Sequence, residues 1–266
     1  MKLAILSGAG QLPVMIKQSH PNAHVVGFEG MPTELVGIAH LHRFERLGAL
    51  FSDMLDRGVT HIVMAGAMSR PDFAPDLLDE FTKSALPALK VAMTHGDDHL
   101  LRHLIALIEE QGFTVIGAHS LLPLTQPAGV LAGQASVDVD RDIARADQVL
   151  KTLSPLDVGQ GVVVENGLVL GIETLQGTDA LLSFVAATAP NLRGLFGGVF
   201  VKRPKAGQDL RVDMPIIGPN TIDQVAKAEL SGVVISPDAC VVVDVKRTIE
   251  RAEHHGIFIL VAEATP

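Results

Sequence analysis

The residues best suited to chemistry lie late in the chain, in Gln208-Asp209-Leu210-Arg211-Val212-Asp213-Met214-Pro215. Three cations, Lys202, Arg203 and Lys205, come just before a carboxylate, Asp213, beside a rigid Met-Pro turn. A carboxylate among cations can activate water or hold a divalent metal ion. A structural Arg211–Asp213 pair is the alternative. Read as a strand, the segment turns Val212 and Met214 to one face and Asp213 to the opposite, polar face. Upstream, Asp157-Val158-Gly159-Gln160-Gly161, then Glu173, then Gln176-Gly177-Thr178-Asp179 gather polar and glycine residues. Gly177-Thr178-Asp179 opens a helical pattern, which makes an anion-competent helix start, with Thr178 as a simple cap the competing explanation.

The first half carries further candidates. Gly8-Ala9-Gly10-Gln11-Leu12-Pro13 stands where an apolar run becomes helical, a junction that presents backbone N–H groups and the helix dipole to phosphate. It does not complete the dinucleotide fingerprint, because Pro13 occupies the sixth position. Gly66-Ala67-Met68-Ser69-Arg70-Pro71-Asp72 leaves another apolar run, offering the guanidinium fork of Arg70 and the hydroxyl of Ser69, or else a turn braced by Arg70 and Asp72. His95-Gly96-Asp97-Asp98-His99 is dense in ligand types, and His99 and His103 share a helix face. Leu100 follows His99 where a zinc-protease helix needs Glu, so that motif fails, and Asp97 reads as a helix cap. His119 follows a strand, but no Gly-x-Ser-x-Gly elbow accompanies it.

These residues need elements to hold them. Leu3–Ser7, His24–Phe28 and Thr60–Ala65 read as strands and alternate with helical patterns at 12–18 and Leu47–Arg57, which predicts a parallel sheet. Pro75–Met93 reads as one helix broken near Pro87, and Asp97–Gln111 as a second, followed by a strand at Phe113–Ile116. Leu121–Ala135, with two prolines and two glycines and no period, reads as the loop between domains. Beyond a helix near 138–153, Asn166-Gly167 between two apolar runs predicts a hairpin. Helices at Asp179–Ala187 and Thr221–Leu230 and strands at Gly198–Lys202, Val233–Ile235, Cys240–Asp244 and Ile257–Leu260 complete a mixed α/β half. The fold class is therefore α/β: a Rossmann-like parallel sheet over residues 1–132 and a mixed α/β domain over 133–266, with the active site between them.

Composition narrows the function. The 266 residues are 47% hydrophobic, and the mean hydropathy is +0.33, yet no apolar run approaches the roughly 18 residues of a spanning helix. The apolar start at Leu3–Leu6 ends at Ser7-Gly8, too short for a signal peptide. Cys240 is the single cysteine, which excludes an intramolecular disulfide and a thiolate metal cluster and favours the cytoplasm. Net charge is −9, with no long basic run, no Trp and no Tyr, so nucleic acid is not an expected partner.

The ordered motifs (Gly-x-Gly-x-Leu-Pro, Ser-Arg-Pro-Asp, Gly-Asp-Asp-x-Leu-Leu-Arg, Gly-Ala-His, Asp-x-Gly-Gln-Gly, Gly-Thr-Asp and Arg-Val-Asp-x-Pro-x-Ile-Gly) resemble, from Leu3 to Leu260, the non-calcineurin UDP-2,3-diacylglucosamine pyrophosphatases of lipid A synthesis. The resemblance implies hydrolysis to UMP and 2,3-diacylglucosamine 1-phosphate, a Mg²⁺-type divalent cation, and Asp213 as the essential carboxylate and candidate metal ligand. Carried onto this chain, it makes Gly10, Gln11, Met68, Ser69, Arg70, Asp98, Gln160, Gly161, Thr178, Asp179 and Lys202 the substrate-binding candidates. The implied partner is the UDP-linked diacylated glucosamine, with at most peripheral membrane contact and a homodimer as the allowed assembly. Ala9, Gln11 and Ala67-Met68 depart from the commoner residues of the family. A nicotinamide-dependent oxidoreductase, with Glu29 near the end of the second strand, and a non-catalytic nucleotide–lipid carrier are the alternatives.

Overall fold

A computed structural model describes residues 1–265 other than 70, 72, 95, 96, 136–138, 195 and 196, and only the backbone of 97 and 98. The chain divides into two compact units. One comprises Met1–Pro123 together with a short excursion, Asp209–Asp213; the other comprises Leu124–Gln208 and Met214–Pro266.

The first unit runs β1 (Leu3–Ser7), α1 (Gln11–Ser19), β2 (His24–Phe28), β3 (His40–His42), α2 (Leu47–Asp56), β4 (His61–Ala65), α3 (Glu80–Thr94), α4 (Asp97–Glu110) and β5 (Thr114–Val115). Its five strands are all parallel, in the order β3-β2-β1-β4-β5. Strand order reverses between β1 and β4, and in an open α/β sheet that switch point is where ligands gather. Alternation along the strands splits the apolar residues between two faces. Ala4, Leu6, Val26, Phe28, Ile62 and Val115 pack with Leu50, Phe51 and Met54 of α2, Leu89 of α3, and Ile105 and Ile108 of α4. Val212, from the excursion, packs against the same core.

Two expectations change here. The helix expected over Pro75–Met93 begins at Glu80, after a separate turn at Pro75–Leu77, and it continues through Pro87 without a break. Asp79 fixes the start, since its carboxylate accepts hydrogen bonds from the Thr82 amide at 2.7 Å and the Thr82 hydroxyl at 2.6 Å. Pro87 removes only one donor from a helix that is held by buried Thr82, Leu89 and Ala92. In addition, the short third strand, His-Leu-His, pairs with β2 at the sheet edge.

The second unit runs β6 (Gly129–Ala132), α5 (Val139–Leu153), β7 (Gly161–Glu165), β8 (Leu168–Ile172), α6 (Gly177–Ala186), β9 (Val199–Lys202), β10 (Ile216–Ile217), α7 (Pro219–Lys227), β11 (Gly232–Ile235), β12 (Val241–Val242), α8 (Val245–His255) and β13 (Phe258–Val261). Six strands form a mixed sheet in the order β6-β13-β11-β9-β7-β8, and β10 pairs with β12 separately. Val162, Val164, Val199 and Val201 face α5 through Ile143, Ala146 and Leu150. Phe200, Val233 and Ile235 face α6, α7 and α8. The predicted hairpin forms with positive φ at both Asn166 and Gly167, and the buried Asp142 carboxylate fastens its turn by accepting from both amides, at 2.9 and 2.6 Å.

The segment expected to be a structureless loop contains β6, which runs antiparallel to β13. Residues 124–132 therefore go with the second sheet rather than with the first domain. With only four residues and a mostly exposed face, β6 leaves little alternation to read. Among the described residues no helix is long and apolar enough to cross a membrane.

Candidate active site

In the first unit, the two glycine-bearing junctions close on each other. Ala9 and Ala67 form an isolated antiparallel bridge, each amide donating to the other's carbonyl at 2.9 Å, and the Gly8 amide donates to Ala65 O at 2.8 Å. This approach requires the absence of side chains. A Cβ on Gly8 would lie 2.4 Å from Ala67 O, and one on Gly66, where φ is +89°, would lie 2.6 Å from Ala9 O. The clasp joins the carboxyl ends of β1 and β4 at the switch point, so Gly10, Gln11, Met68 and Ser69 issue from one sheet edge.

Gly10 has φ +103° at the start of α1, and its amide donates to Glu34 Oε2 at 2.7 Å. Gln11, Met68 and Ser69 are exposed, and the Ser69 hydroxyl donates to Met31 Sδ at 3.2 Å. Glu34 carries no motif, and only the fold places it at Gly10. Arg70, Asp72 and the side chain of Asp98 lie outside the described residues, as does the cap expected of Asp97.

Asp213 belongs to this unit as well. The strand expected around it is absent: Leu210–Val212 is a turn, closed by the amides of Val212 and Asp213, each donating to Asp209 O at 3.2 Å. Asp213 is half-buried at the end of this turn, so alternation across a strand does not set its direction. Arg211 anchors the turn. Its guanidinium clasps Asp209 through Nε at 3.0 Å and Nη2 at 2.7 Å, and Nη1 donates to Glu109 Oε1 on α4 at 2.8 Å and to Val115 O on β5 at 3.4 Å. The hydrogen bonds from Arg211 hold the Asp209 carboxyl below the usual carboxylate range, and those same bonds raise the guanidinium's own value. The partners of Arg211 are thus Asp209, Glu109 and the Val115 carbonyl.

The second unit gathers Gln160, Gly161, Thr178 and Lys202. Lys202 ends β9 opposite Gly161 of β7, and only 3% of it is exposed. Its ammonium donates to both oxygens of Glu173 at 3.2 Å and to Thr178 Oγ at 2.6 Å, while the Thr178 hydroxyl donates to Glu173 Oε1 at 2.8 Å. Thr178 does not cap α6. The Gln160 carbonyl accepts from the Arg203 amide at 2.9 Å, and its side-chain oxygen is buried without a hydrogen-bond partner among the described residues. Asp179 is exposed and accepts from Asn220 Nδ2 at 3.2 Å. Arg203 and Lys205, expected beside Asp213, are instead committed elsewhere: Arg203 to buried Asp147 at 2.9 Å and Lys205 to Asp157. Cys240 is buried, which pushes its thiol up to about 12 and leaves it inert as a nucleophile.

Among the described residues no three His, Cys, Asp or Glu side chains are grouped to hold a metal ion. A magnesium ion needs less. One carboxylate plus waters and substrate phosphate oxygens is its usual protein setting, and Asp213 supplies a hard oxygen donor of that kind.

Family models match both parts of the chain: one described as LpxI N-terminal domain over residues 2–125, and one described as LpxI C-terminal domain over residues 127–260. A curated relative from Caulobacter vibrioides, UDP-2,3-diacylglucosamine pyrophosphatase LpxI, is 37% identical over 272 aligned residues, covering 97% of this chain and 96% of its own.

Proposed function

Because the chain belongs to the LpxI family, we infer that it hydrolyses the pyrophosphate bond of UDP-2,3-diacylglucosamine, giving UMP and 2,3-diacylglucosamine 1-phosphate in lipid A biosynthesis. One observation carries this: the match to the curated pyrophosphatase covers 97% of the chain and so spans both units. Family membership also displaces the oxidoreductase and carrier alternatives. The buried single cysteine, Cys240, supports the cytoplasm as the place of action.

Water attacks one phosphorus, a P–O bond to water forms, the anhydride P–O bond breaks, and the leaving phosphate departs with the electron pair. Positioning and charge neutralisation account for most of the rate in such reactions. Asp213 is the residue assigned to the reacting group, where its carboxylate orients the water and takes up its proton. A divalent cation held by Asp213 would neutralise phosphate oxygens. Gly10 and Gln11 at the start of α1, with Met68, Ser69, Arg70 and Asp98, are assigned to the substrate from the first unit. Gln160, Gly161, Thr178, Asp179 and Lys202 are assigned to it from the second. The positive ends of the helix dipoles at the starts of α1 and α6 suit phosphate oxygens.

Incubation of the protein with UDP-2,3-diacylglucosamine and Mg²⁺, followed by mass analysis, tests this assignment. Stoichiometric UMP and the acylated sugar phosphate are expected, and intact substrate after prolonged incubation would refute it.

A further inference from the structure

Among the described residues, three carboxylate–cation pairs are buried in the second unit. Glu165 with Arg193 and Asp147 with Arg203 fasten backbone: Glu165 accepts from the Gly194 amide at 2.7 Å, Asp147 accepts from the Thr265 amide at 2.7 Å, and Arg203 donates to the Ala262 carbonyl. The third pair differs. Among the described residues, the side-chain hydrogen bonds of Glu173 go to two side chains, Lys202 and Thr178, both of them assigned to the substrate.

The local sequence is shaped around this carboxylate. A Cβ on Gly161 would lie 2.5 Å from Glu173 Oε2 and 2.8 Å from the Phe200 ring. The Glu173 amide donates to Gly161 O at 2.7 Å, so the stretch from Gly159 to Gly161 is the seat of Glu173. A buried ion pair is on average no better for stability than apolar residues of the same volume. A glycine-lined seat that admits one is therefore not explained by stability.

The network has a direction. Thr178 Oγ accepts from the ammonium, so its own proton goes to Glu173 Oε1, and the ammonium, 3.2 Å from both Glu173 oxygens, can meet them with one bifurcated N–H, which leaves its third proton for a phosphate oxygen. The carboxylate is the acceptor that both the cation and the hydroxyl share. We propose that Glu173 is a positioning residue for the diphosphate: it holds the Lys202 ammonium at the end of β9 and orients the Thr178 hydroxyl at the first turn of α6. This rests on the functional assignment above and adds to it a residue that has no contact with substrate of its own.

A double-mutant cycle tests it with Glu173→Gln, Thr178→Val and the double variant, measuring kcat and KM on UDP-2,3-diacylglucosamine, UDP affinity by calorimetry and melting temperature. Glu173→Gln keeps the shape but puts an amide NH₂ where an oxygen accepted. Each single change is expected to lower kcat/KM by about 10²-fold, the loss that misplacement by about 1 Å produces. The double variant is expected to be no worse than the poorer single, because the two act as one unit. Glu173→Asp and Thr178→Ser should each recover part of the loss and remain informative if Glu173→Gln does not fold. Additive losses, or a Glu173→Gln enzyme with wild-type kcat/KM, would overturn the proposal. If the wild type binds UDP but turns nothing over, the pyrophosphatase assignment fails, and coupling or its absence in UDP affinity then decides the role of Glu173.

Discussion

Asp79 holds two helices at once, and replacing it should cost more than losing an ordinary cap. Its carboxylate accepts from the Thr82 amide and hydroxyl at the start of α3 and from the Ala49 amide at 3.1 Å in the first turn of α2. The Thr82 hydroxyl in turn accepts from the Leu47 amide at 2.9 Å. Asp79→Ala therefore removes the α3 cap, worth about 1 kcal/mol. It also strips a charged acceptor from the Thr82 hydroxyl and the Ala49 amide, at about 1 kcal/mol each once partial exposure is allowed for. The expected loss is about 3 kcal/mol, or roughly 10 °C in melting temperature for a unit of this size. Asp79→Asn keeps one acceptor oxygen and should lose about half as much. With no Trp and no Tyr, far-UV circular dichroism or calorimetry is the appropriate probe rather than fluorescence. Burial pushes this carboxyl up, but the hydroxyl and amide of Thr82 and the amides of Ala49 and Gly48 push it further down, and the net value lies below the ordinary one. A folded-state value below the unfolded one gives stability that is complete above about pH 4 and is lost as pH falls through the lower folded value. The gap between wild type and Asp79→Ala should accordingly narrow below about pH 4. A variant within about 0.5 kcal/mol of wild type at neutral pH would refute the double-cap account.

Asp213→Ala is expected to lower kcat by two or more orders of magnitude, roughly the loss on removing one positioned electrostatic group. KM and melting temperature should stay close to wild type; near-normal kcat would end its assignment, and a collapsed melting temperature would make it a structural brace. Stripping divalent ions with EDTA should abolish turnover and added Mg²⁺ should restore it, whereas full activity in excess chelator would remove the cation from the mechanism. Arg211→Gln, which frees the turn from Glu109 and β5, should lower kcat by about 10-fold or more through misplacement of Asp213. Its half-exposed ion pairs should cost only about 1 kcal/mol of stability, and an unchanged kcat would mean that the turn holds its shape without them.

Sequence reading succeeded where burial is uniform. β1 and β2 are runs of five almost wholly buried residues, and their limits were legible to the residue. Asn166-Gly167 announced its hairpin through the positive φ that both positions adopt. Edge strands were harder: β3 is His-Leu-His, and β6 carries only one buried side chain, so neither shows a period. α8 escaped notice because nine of its eleven residues are polar or alanine around a narrow buried stripe, with only Thr248 and Ala252 fully inside. At the candidate site, residue types were readable and partners were not. Arg211 was legible as a cation beside Asp213, yet its reach to Glu109 spans 102 positions and exists only in the folded chain. Glu173 lay in view between two motifs, but its meaning depends on a lysine brought alongside by the pairing of β7 with β9.

The excursion Asp209–Asp213 bears on the modularity of the chain. Its backbone leaves one compact unit, contributes Val212 to the core of the other, and returns within five residues. A fragment ending at Pro123 would therefore lack a piece of its own core and the guanidinium that sits against Glu109 and Val115. A gene cut at that junction yields a first half without its own Asp213, while the second half carries the pentapeptide with nothing to dock on. Shuffling between relatives must consequently exchange junctions 123/124, 208/209 and 213/214 together, which makes the whole chain, rather than either unit, the smallest piece that can be inherited intact.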